Sequence, residues 1–149
     1  MRAVVQRTKC SKVVVDHKTC GEIGAGLMVL LGIKKGDTEK EAQYMMDKII
    51  NLRIFPDEEG KMNRSLLDMG GELLLVSQFT LYGDARKGRR PGFSEAALPK
   101  EAMALYKYSI DYLQDQGIRV ATGVFGAEML VKIDNDGPVT ILLDSEKLF

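Results

Sequence analysis

Most of the chain alternates between apolar runs of strand length and short polar or glycine-containing breaks. The first two runs, Met1 to Cys10 and Lys12 to His17, are rich in valine and predict two neighbouring strands, followed by the turn residues HKTCG. Further strands are predicted at residues 27–33, 52–55, 73–76, 119–124, 129–133 and 139–143.

Two segments instead have the spacing of an amphipathic helix. The first is capped by Asp37 or Thr38 and runs to about Leu52; the second runs from Pro99 to about Gln116. Strands outnumber helices, and each helix has one apolar face. We therefore expect an α/β fold of three layers, in which a mixed sheet packs on a second sheet with the two helices outside.

Length and charge limit the class of protein. The chain has 149 residues, 45% apolar and 28% charged, which is typical of a single globular domain spanning residues 1–149. Lys plus Arg and Asp plus Glu number 21 each, so any contact with nucleic acid must come from a local basic cluster. With no long apolar run or leader, we expect a cytoplasmic protein with no membrane partner.

The single histidine restricts the available chemistry. His17 lies in a turn-like segment, away in sequence from any candidate nucleophile, so a serine or cysteine mechanism with a histidine base is disfavoured. Cys10, Cys20 and His17 do not have the spacing of a zinc site, and we predict free thiols, no metal and no cofactor.

The segment from Glu72 to Asp84, ELLLVSQFTLYGD, combines a buried strand with polar groups at its end. Four apolar residues precede Ser77 and Gln78, whose side chains need hydrogen-bond partners in the protein or in a ligand. The pattern by itself is compatible with a polar turn at Gly83 or with a functional site.

A second segment, Asn135 to Thr140 (NDGPVT), favours a site. Together SQFTL and NDGPVT resemble the two signature motifs of the D-aminoacyl-tRNA deacylases, and the likeness extends from MRAVVQR at the start to the strand after Thr140. The resemblance implies the same three-layer fold and hydrolysis of the ester of D-aminoacyl-tRNA. It also implies a homodimer with active sites at the subunit interface, where a cis Gly137–Pro138 bond enters the partner's site.

An enzyme that accepts many D-amino acids must read the Cα centre rather than the side chain. Rigid main-chain atoms do this by repulsion, because they clash with any side chain of the wrong hand. Glycine permits close backbone approach and proline stiffens the chain, so we assign Gly137 and Pro138 to chiral selection. A hairpin turn is the alternative for this segment. Selection by rejection also predicts that glycyl-tRNA is hydrolysed.

For catalysis, the ester needs donors that stabilise charge on its carbonyl oxygen. The candidates are Ser77 and the backbone N–H groups of Phe79 and Thr80, with Gln78 orienting the substrate or its ribose. Thr80 or Thr140 as a nucleophile lacks an evident base. The resemblance implies assistance by the 2′-OH of the terminal adenosine instead, and we favour that route.

The remaining candidates bind substrate or tRNA. Asn135 and Thr140 belong to the second motif; Phe125 and Met129 either line the pocket or belong to the core. Arg7 resembles a family position that supports the Gly-Pro corner, or is an edge charge. The predicted tRNA phosphate contacts are Arg86, Lys87, Arg89 and Arg90, in a loop that is otherwise only a solvated surface.

Two other classes of function remain open at this stage. One is a non-catalytic module that binds the tRNA end or a nucleotide with the same polar strand end and basic loop. The other is a structural dimer, which would tolerate changes at Ser77, Gln78 and Gly137.

Overall fold

Eight strands, three helices and one 3₁₀ turn are found in the computed structural model, which describes residues 1–149. The strands are β1 (Arg2–Val15), β2 (Lys18–Ile23), β3 (Gly26–Gly32), β4 (Phe55–Pro56), β5 (Met62–Arg64), β6 (Glu72–Ser77), β7 (Val120–Thr122) and β8 (Leu130–Asp144). The helices are α1 (Glu39–Ile50), α2 (Leu66–Met69) and α3 (Pro99–Asp115), and the 3₁₀ turn is Phe79–Tyr82.

The first two predicted strands are one continuous strand, β1, and the residues predicted as a turn after it belong mainly to β2. Asp16 and His17 have φ values of +47° and +64° and form a two-residue turn. Such a turn matches the twist of the strands on either side. Lys18 therefore pairs with Val15 at once, and the chain needs no longer loop.

β1 lies at the centre of a six-stranded mixed sheet. One edge pairs with β3 over residues 2–8 and with β2 over residues 11–15, while the other edge pairs with β8 along its length. β6 continues the sheet parallel to β3, and β7 lies parallel to β6. After Thr8, β1 changes its partner on this edge from β3 to β2. As a result β2 lies over the other strands and contacts β6 and β7.

Two apolar clusters separate three layers. The larger cluster fills the space between the sheet and the helices and includes Val29 and Leu75 together with Met45 of α1 and Tyr106 of α3. The smaller cluster, Val13, Ile23, Met28, Leu74 and Val76, is enclosed where the sheet turns over itself. The predicted α/β class is confirmed. The second β layer differs in detail, since it is the folded half of the same sheet, and the separate sheet is only the β4–β5 hairpin.

The two predicted helices are present with the predicted starts. Thr38 caps α1 with a capping box to Glu41, and Pro99 is the first residue of α3. The third helix, α2, was predicted only as a connection; Ser65 and Asp68 form a second capping box that starts this single turn. None of the helices is both long and apolar enough to span a bilayer.

Candidate active site

Ser77 ends β6 at the edge of a cavity of about 590 Å³. Most of the cavity lining is apolar, and Ser77, Gln78 and Phe79 enter it together. The Ser77 hydroxyl makes no hydrogen bond within the protein. Because every buried side-chain polar atom does have a partner, this unpaired hydroxyl is accessible from outside. A ligand in the cavity therefore meets a free hydroxyl at its polar end.

The backbone after Ser77 adds two further donors. The Gln78 N–H donates to the Leu31 carbonyl over 2.8 Å and completes the ladder with β3. The chain then enters the 3₁₀ turn, whose first N–H groups have no partner within the turn. The N–H groups of Phe79 and Thr80 have no acceptor elsewhere in the protein either. The Gln78 side-chain amide donates to the Thr80 hydroxyl and fixes both side chains.

Phe125 and Met129 both line the cavity and both pack against the core. The Phe125 ring lies 5.7 Å from the ring of Tyr106, centroid to centroid, and the Tyr106 hydroxyl donates to the Leu75 carbonyl over 2.7 Å. Burial raises the pKa of Tyr106, so its hydroxyl stays protonated as a donor. Phe125 and Met129 therefore lie in the cavity wall and in the core packing at the same time, and contact with a substrate stays a prediction.

One wall of the cavity was not predicted. The ring of Phe93 meets that of Phe79 edge to face at 5.1 Å, and Leu98 and Pro99 at the start of α3 complete the wall. These residues come from segments that are distant in sequence from Ser77. No pattern in the sequence indicates that these residues meet Ser77. The one feature that stands out is an aromatic residue, Phe93, directly after the basic loop.

The second motif lies within β8. The two strands predicted at residues 129–133 and 139–143 are one strand, in which Asp136 to Val139 stand opposite the single residue Arg7 of β1. This bulge takes Gly137 and Pro138 out of the ladder and exposes them, so a hairpin turn does not occur here. The bond between Gly137 and Pro138 is cis.

Arg7 holds this bulge from the interior of the sheet. Its guanidinium donates to the carbonyl of Asp136 over 3.1 Å and to the carbonyl of Ile54 over 2.7 Å, and it pairs with the Asp136 carboxylate at 3.3 Å. The Arg7 side chain is only 12% exposed. Its contacts are those of a support for the corner rather than of an edge charge.

Asn135 and Thr140 close the bulge from the other side. The side-chain oxygen of Asn135 accepts a hydrogen bond from the Val139 N–H at 2.9 Å. This orients the side-chain amide so that its nitrogen donates to the Thr140 hydroxyl at 3.1 Å. Gln6 donates to the same hydroxyl at 3.2 Å. Gln6 was not singled out from the sequence, because a polar residue on a strand has no distinguishing pattern.

The two motifs do not meet within one chain. Thr140 pairs with Gln6, Gln6 with Met28, and Met28 with Leu74, so β1 and β3 lie between β8 and β6. At about 4.8 Å between strands, this places the motifs about 14 Å apart across the sheet, with Ser77 about 10 Å further along β6 than Leu74.

The basic loop is closed by a pair of hydrogen bonds between Asp84 and Gly92, of 2.8 and 2.9 Å. Arg86 forms a two-point contact with the Asp84 carboxylate, at 2.9 and 2.7 Å, and this hydrogen bonding lowers the pKa of Asp84. The other three cations, Lys87, Arg89 and Arg90, are exposed and have no ion pair.

The histidine and the cysteines stand apart from this chemistry. His17 is exposed in the β1–β2 turn, and its ring makes no hydrogen bond within the protein. Cys10 and Cys20 are free thiols, as predicted. The hydrogen bond from Cys10 to Asp134 raises the pKa of that thiol, which keeps it protonated.

The unpaired donors at the end of β6 lie beside an apolar cavity on a folded-over mixed sheet, an arrangement that can hold a carbonyl group. The family described as D-Tyr-tRNA(Tyr) deacylase matches residues 4–144, and the chain belongs to that family. The sequence-based identification is thereby confirmed, as is the prediction that the protein is an ester hydrolase of the D-aminoacyl-tRNA deacylase class.

Relatives support this over the full length. The chain is 69% identical to a D-aminoacyl-tRNA deacylase of Syntrophomonas wolfei and 61% identical to one of Clostridioides difficile, in each case covering 100% of both chains. Among solved structures, a c-Myc DNA unwinding element binding protein superposes with a TM-score of 0.91 at 44% identity, over 97% of this chain and 98% of the other. A probable eukaryotic D-amino acid tRNA deacylase shares the fold, with a TM-score of 0.80 at 20% identity, over 95% and 97%.

Proposed function

We propose that the protein cleaves the ester between a D-amino acid and the 3′ end of tRNA through the donors around Ser77, and that it spares L-aminoacyl-tRNA. The observation that carries this is the strand end at the cavity, where the Ser77 hydroxyl and the N–H groups of Phe79 and Thr80 have no hydrogen-bond partner in the protein. Donors already in place at a carbonyl oxygen stabilise the charge that develops there, each by roughly 2.7 to 4 kcal/mol.

The cavity suits the terminal nucleoside of the tRNA, which is part of the leaving group. Its apolar lining, with Phe125 and Met129, suits the base of a terminal nucleoside, and the polar end at Ser77 suits the ester. Gln78, tied to the Thr80 hydroxyl, orients the ribose or the aminoacyl group. The cavity thus binds the nucleoside while the strand end acts on the bond.

The proton chemistry is assigned to the substrate. The Thr140 hydroxyl accepts two hydrogen bonds, from Gln6 and Asn135, which occupy the lone pairs that a nucleophile uses. Thr80 accepts from Gln78 and has no neighbouring base. The 2′-OH of the terminal adenosine therefore assists attack by water, and the protein supplies position and electrostatic stabilisation.

Chiral selection is assigned to the Gly137–Pro138 corner. Its main chain is exposed on the bulge, and Arg7 fixes the preceding residue from within the sheet. Main-chain atoms held in this way admit a hydrogen at Cα and exclude a side chain. All D-amino acids are then accepted regardless of side-chain shape.

The corner acts in the active site of a second copy, so the working unit is a homodimer. Two strands separate the corner from Ser77 in one chain, and the corner is exposed rather than directed at its own cavity. Leu142, further along β8, is 55% exposed, which suits a surface that is covered on dimerisation.

Phosphates of the acceptor strand are bound by Lys87, Arg89 and Arg90, with Arg86 contributing less because it is paired with Asp84.

Incubation with D-Tyr-tRNA tests the activity. We expect many turnovers at enzyme concentrations far below the substrate, and at least a hundredfold slower reaction for Ser77→Ala, since one carbonyl donor is typically worth 10²–10³ in rate. A protein that only binds the tRNA end would slow or leave unchanged the spontaneous deacylation, and that result would contradict the proposal.

Hybrid dimers test the subunit arrangement. Protomers carrying Ser77→Ala and Gly137→Ala, each with its own affinity tag, are combined and the hybrids purified. If the corner acts across the interface, one site of each hybrid has both an intact Ser77 and an intact Gly137, and hydrolysis is selective for D-aminoacyl-tRNA. If the corner acts within its own chain, the only site with Ser77 has the altered corner, and selectivity is that of the Gly137→Ala homodimer.

A further inference from the structure

Lys35 is the one charged residue that lines the cavity beside Ser77. It follows β3, on the loop before α1, and forms neither an ion pair nor a side-chain hydrogen bond. Lys35 is exposed at the rim of the cavity, and no carboxylate lies within ion-pair distance of its ammonium group. A bound ligand therefore has a cation to meet at this point.

The backbone of Lys35 is held in place. Its N–H donates to the Glu95 carbonyl over 3.0 Å, and the Ala97 N–H donates to the Ile33 carbonyl over 2.9 Å. Residues 33–35 and 95–97 thus form a short antiparallel pair in the cavity wall. Lys35 is anchored to the wall by its main chain, and only its side chain is free to move.

The adjacent lysine has the opposite environment. Lys34 pairs with Glu146 at 2.6 Å, and hydrogen bonding to that carboxylate raises its pKa. Side chains of an extended segment alternate in direction, so the pairing of Lys34 away from the cavity leaves Lys35 directed toward it. The two residues carry the same charge on the same loop but differ in whether a ligand can use it.

We infer that Lys35 binds the phosphate that joins the terminal nucleotide of the tRNA to the rest of the chain. The inference rests on the proposed function, in which the cavity takes the terminal nucleoside. Base and ribose carry no charge to match an ammonium, and the phosphate is the one anionic group of that nucleotide. Lysine acts on phosphate as a compact, mobile point charge. The cations at residues 87, 89 and 90 then serve phosphates further along the strand.

Two stable ligands that differ by one phosphate test this contact. Both contain a D-tyrosyl group joined by an amide to 3′-amino-3′-deoxyadenosine, and only one carries a 5′-phosphate. Calorimetric titration of the wild-type protein should show about twofold to fivefold tighter binding of the phosphorylated ligand, the range for one exposed ion pair. Lys35→Ala should abolish that preference without weakening binding of the unphosphorylated ligand, and Lys35→Arg should retain it.

Lys34→Ala is the matched control, since it removes an equal charge from the same loop and should leave the preference intact. The inference is overturned if Lys35→Ala keeps the preference, if the wild-type protein shows none, or if the preference disappears only when Lys87, Arg89 and Arg90 are changed to Gln. Failure of the proposed function is separate, because it appears as absence of D-Tyr-tRNA hydrolysis by the wild-type protein.

Discussion

Arg7 donates a hydrogen bond to the carbonyl of Asp136 at 3.1 Å, and so an interior strand holds the residue that precedes the Gly137–Pro138 corner. The same guanidinium reaches the Ile54 carbonyl, which ties the corner to the end of the segment after α1. The corner is exposed, but its support is nearly buried. Rigidity at an exposed site is what a filter that works by repulsion requires.

Arg7→Lys should weaken both folding and chiral selection. A lysine cannot make the divergent contacts of a guanidinium, and leaving buried carbonyls without donors costs about 1–3 kcal/mol. Urea unfolding and the ratio of D- to L-Tyr-tRNA hydrolysis measure the two effects. Lys9→Ala is the control, because Lys9 is 78% exposed and lies 3.8 Å from the same Asp136 carboxylate. A folded Arg7→Lys protein with undiminished selectivity would contradict the role of Arg7.

Gly137→Ala should damage the corner directly. Gly137 has φ of +126°, and a Cβ there would lie 2.8 Å from Cγ2 of Val139 and 3.1 Å from Nη2 of Arg7. We expect reduced selectivity against L-Tyr-tRNA and lower stability. Gly36→Ala is the control, since Gly36 has φ of +83° with nothing within 4 Å and carries only the backbone cost of about 1–3 kcal/mol. Equal selectivity in both variants would exclude the corner as the filter.

Glycyl-tRNA should be hydrolysed. Glycine has no side chain to clash with the main chain at residues 137 and 138, so selection by rejection does not exclude it. Rates on D-Tyr-tRNA, L-Tyr-tRNA and glycyl-tRNA at one enzyme concentration make the comparison. Cleavage of the D-ester with an untouched glycyl ester would instead require a pocket that binds the D side chain.

Thr80→Ala and Thr140→Ala should each retain most of the rate of the chemical step. A tRNA that ends in 2′-deoxyadenosine should instead be hydrolysed much more slowly. The reason is that neither threonine has a base, while the 2′-OH lies next to the ester. Single-turnover rates with saturating enzyme separate chemistry from binding. Loss of about 10⁴ or more for either threonine variant, with binding retained, would favour a covalent intermediate.

Replacing Lys87, Arg89 and Arg90 with Gln should raise KM and flatten its dependence on salt. Each phosphate contact contributes about 0.7–0.9 to the slope of log affinity against log salt, so three contacts should remove about 2–3 units. Arg86→Gln should have a smaller effect, because its guanidinium is already paired with Asp84. An unchanged slope in the triple variant would mean that the loop does not contact the tRNA.

The predictions were correct where the sequence signal is local. The cap at Thr38, the proline that begins α3 and the buried run of β6 were all predicted from neighbouring residues. The errors fall where pairing overrides local preference. The sequence pattern divides β1 and β8 into two strands each. The reason is that polar residues occur where each strand bends or bulges, although its ladder continues past that point.

The amino-acid sequence by itself determined the class, the two long helices, the polar end of β6 and the family, because these depend on residue order over a few positions or on two short motifs. Only the tertiary structure decided that Ser77 opens into a cavity walled by Phe93 and Lys35, that Arg7 holds the corner at Gly137, and that this corner lies two strands away from Ser77. Those relationships depend on strand order and register across the sheet, and no local pattern in the chain specifies which distant residues become neighbours.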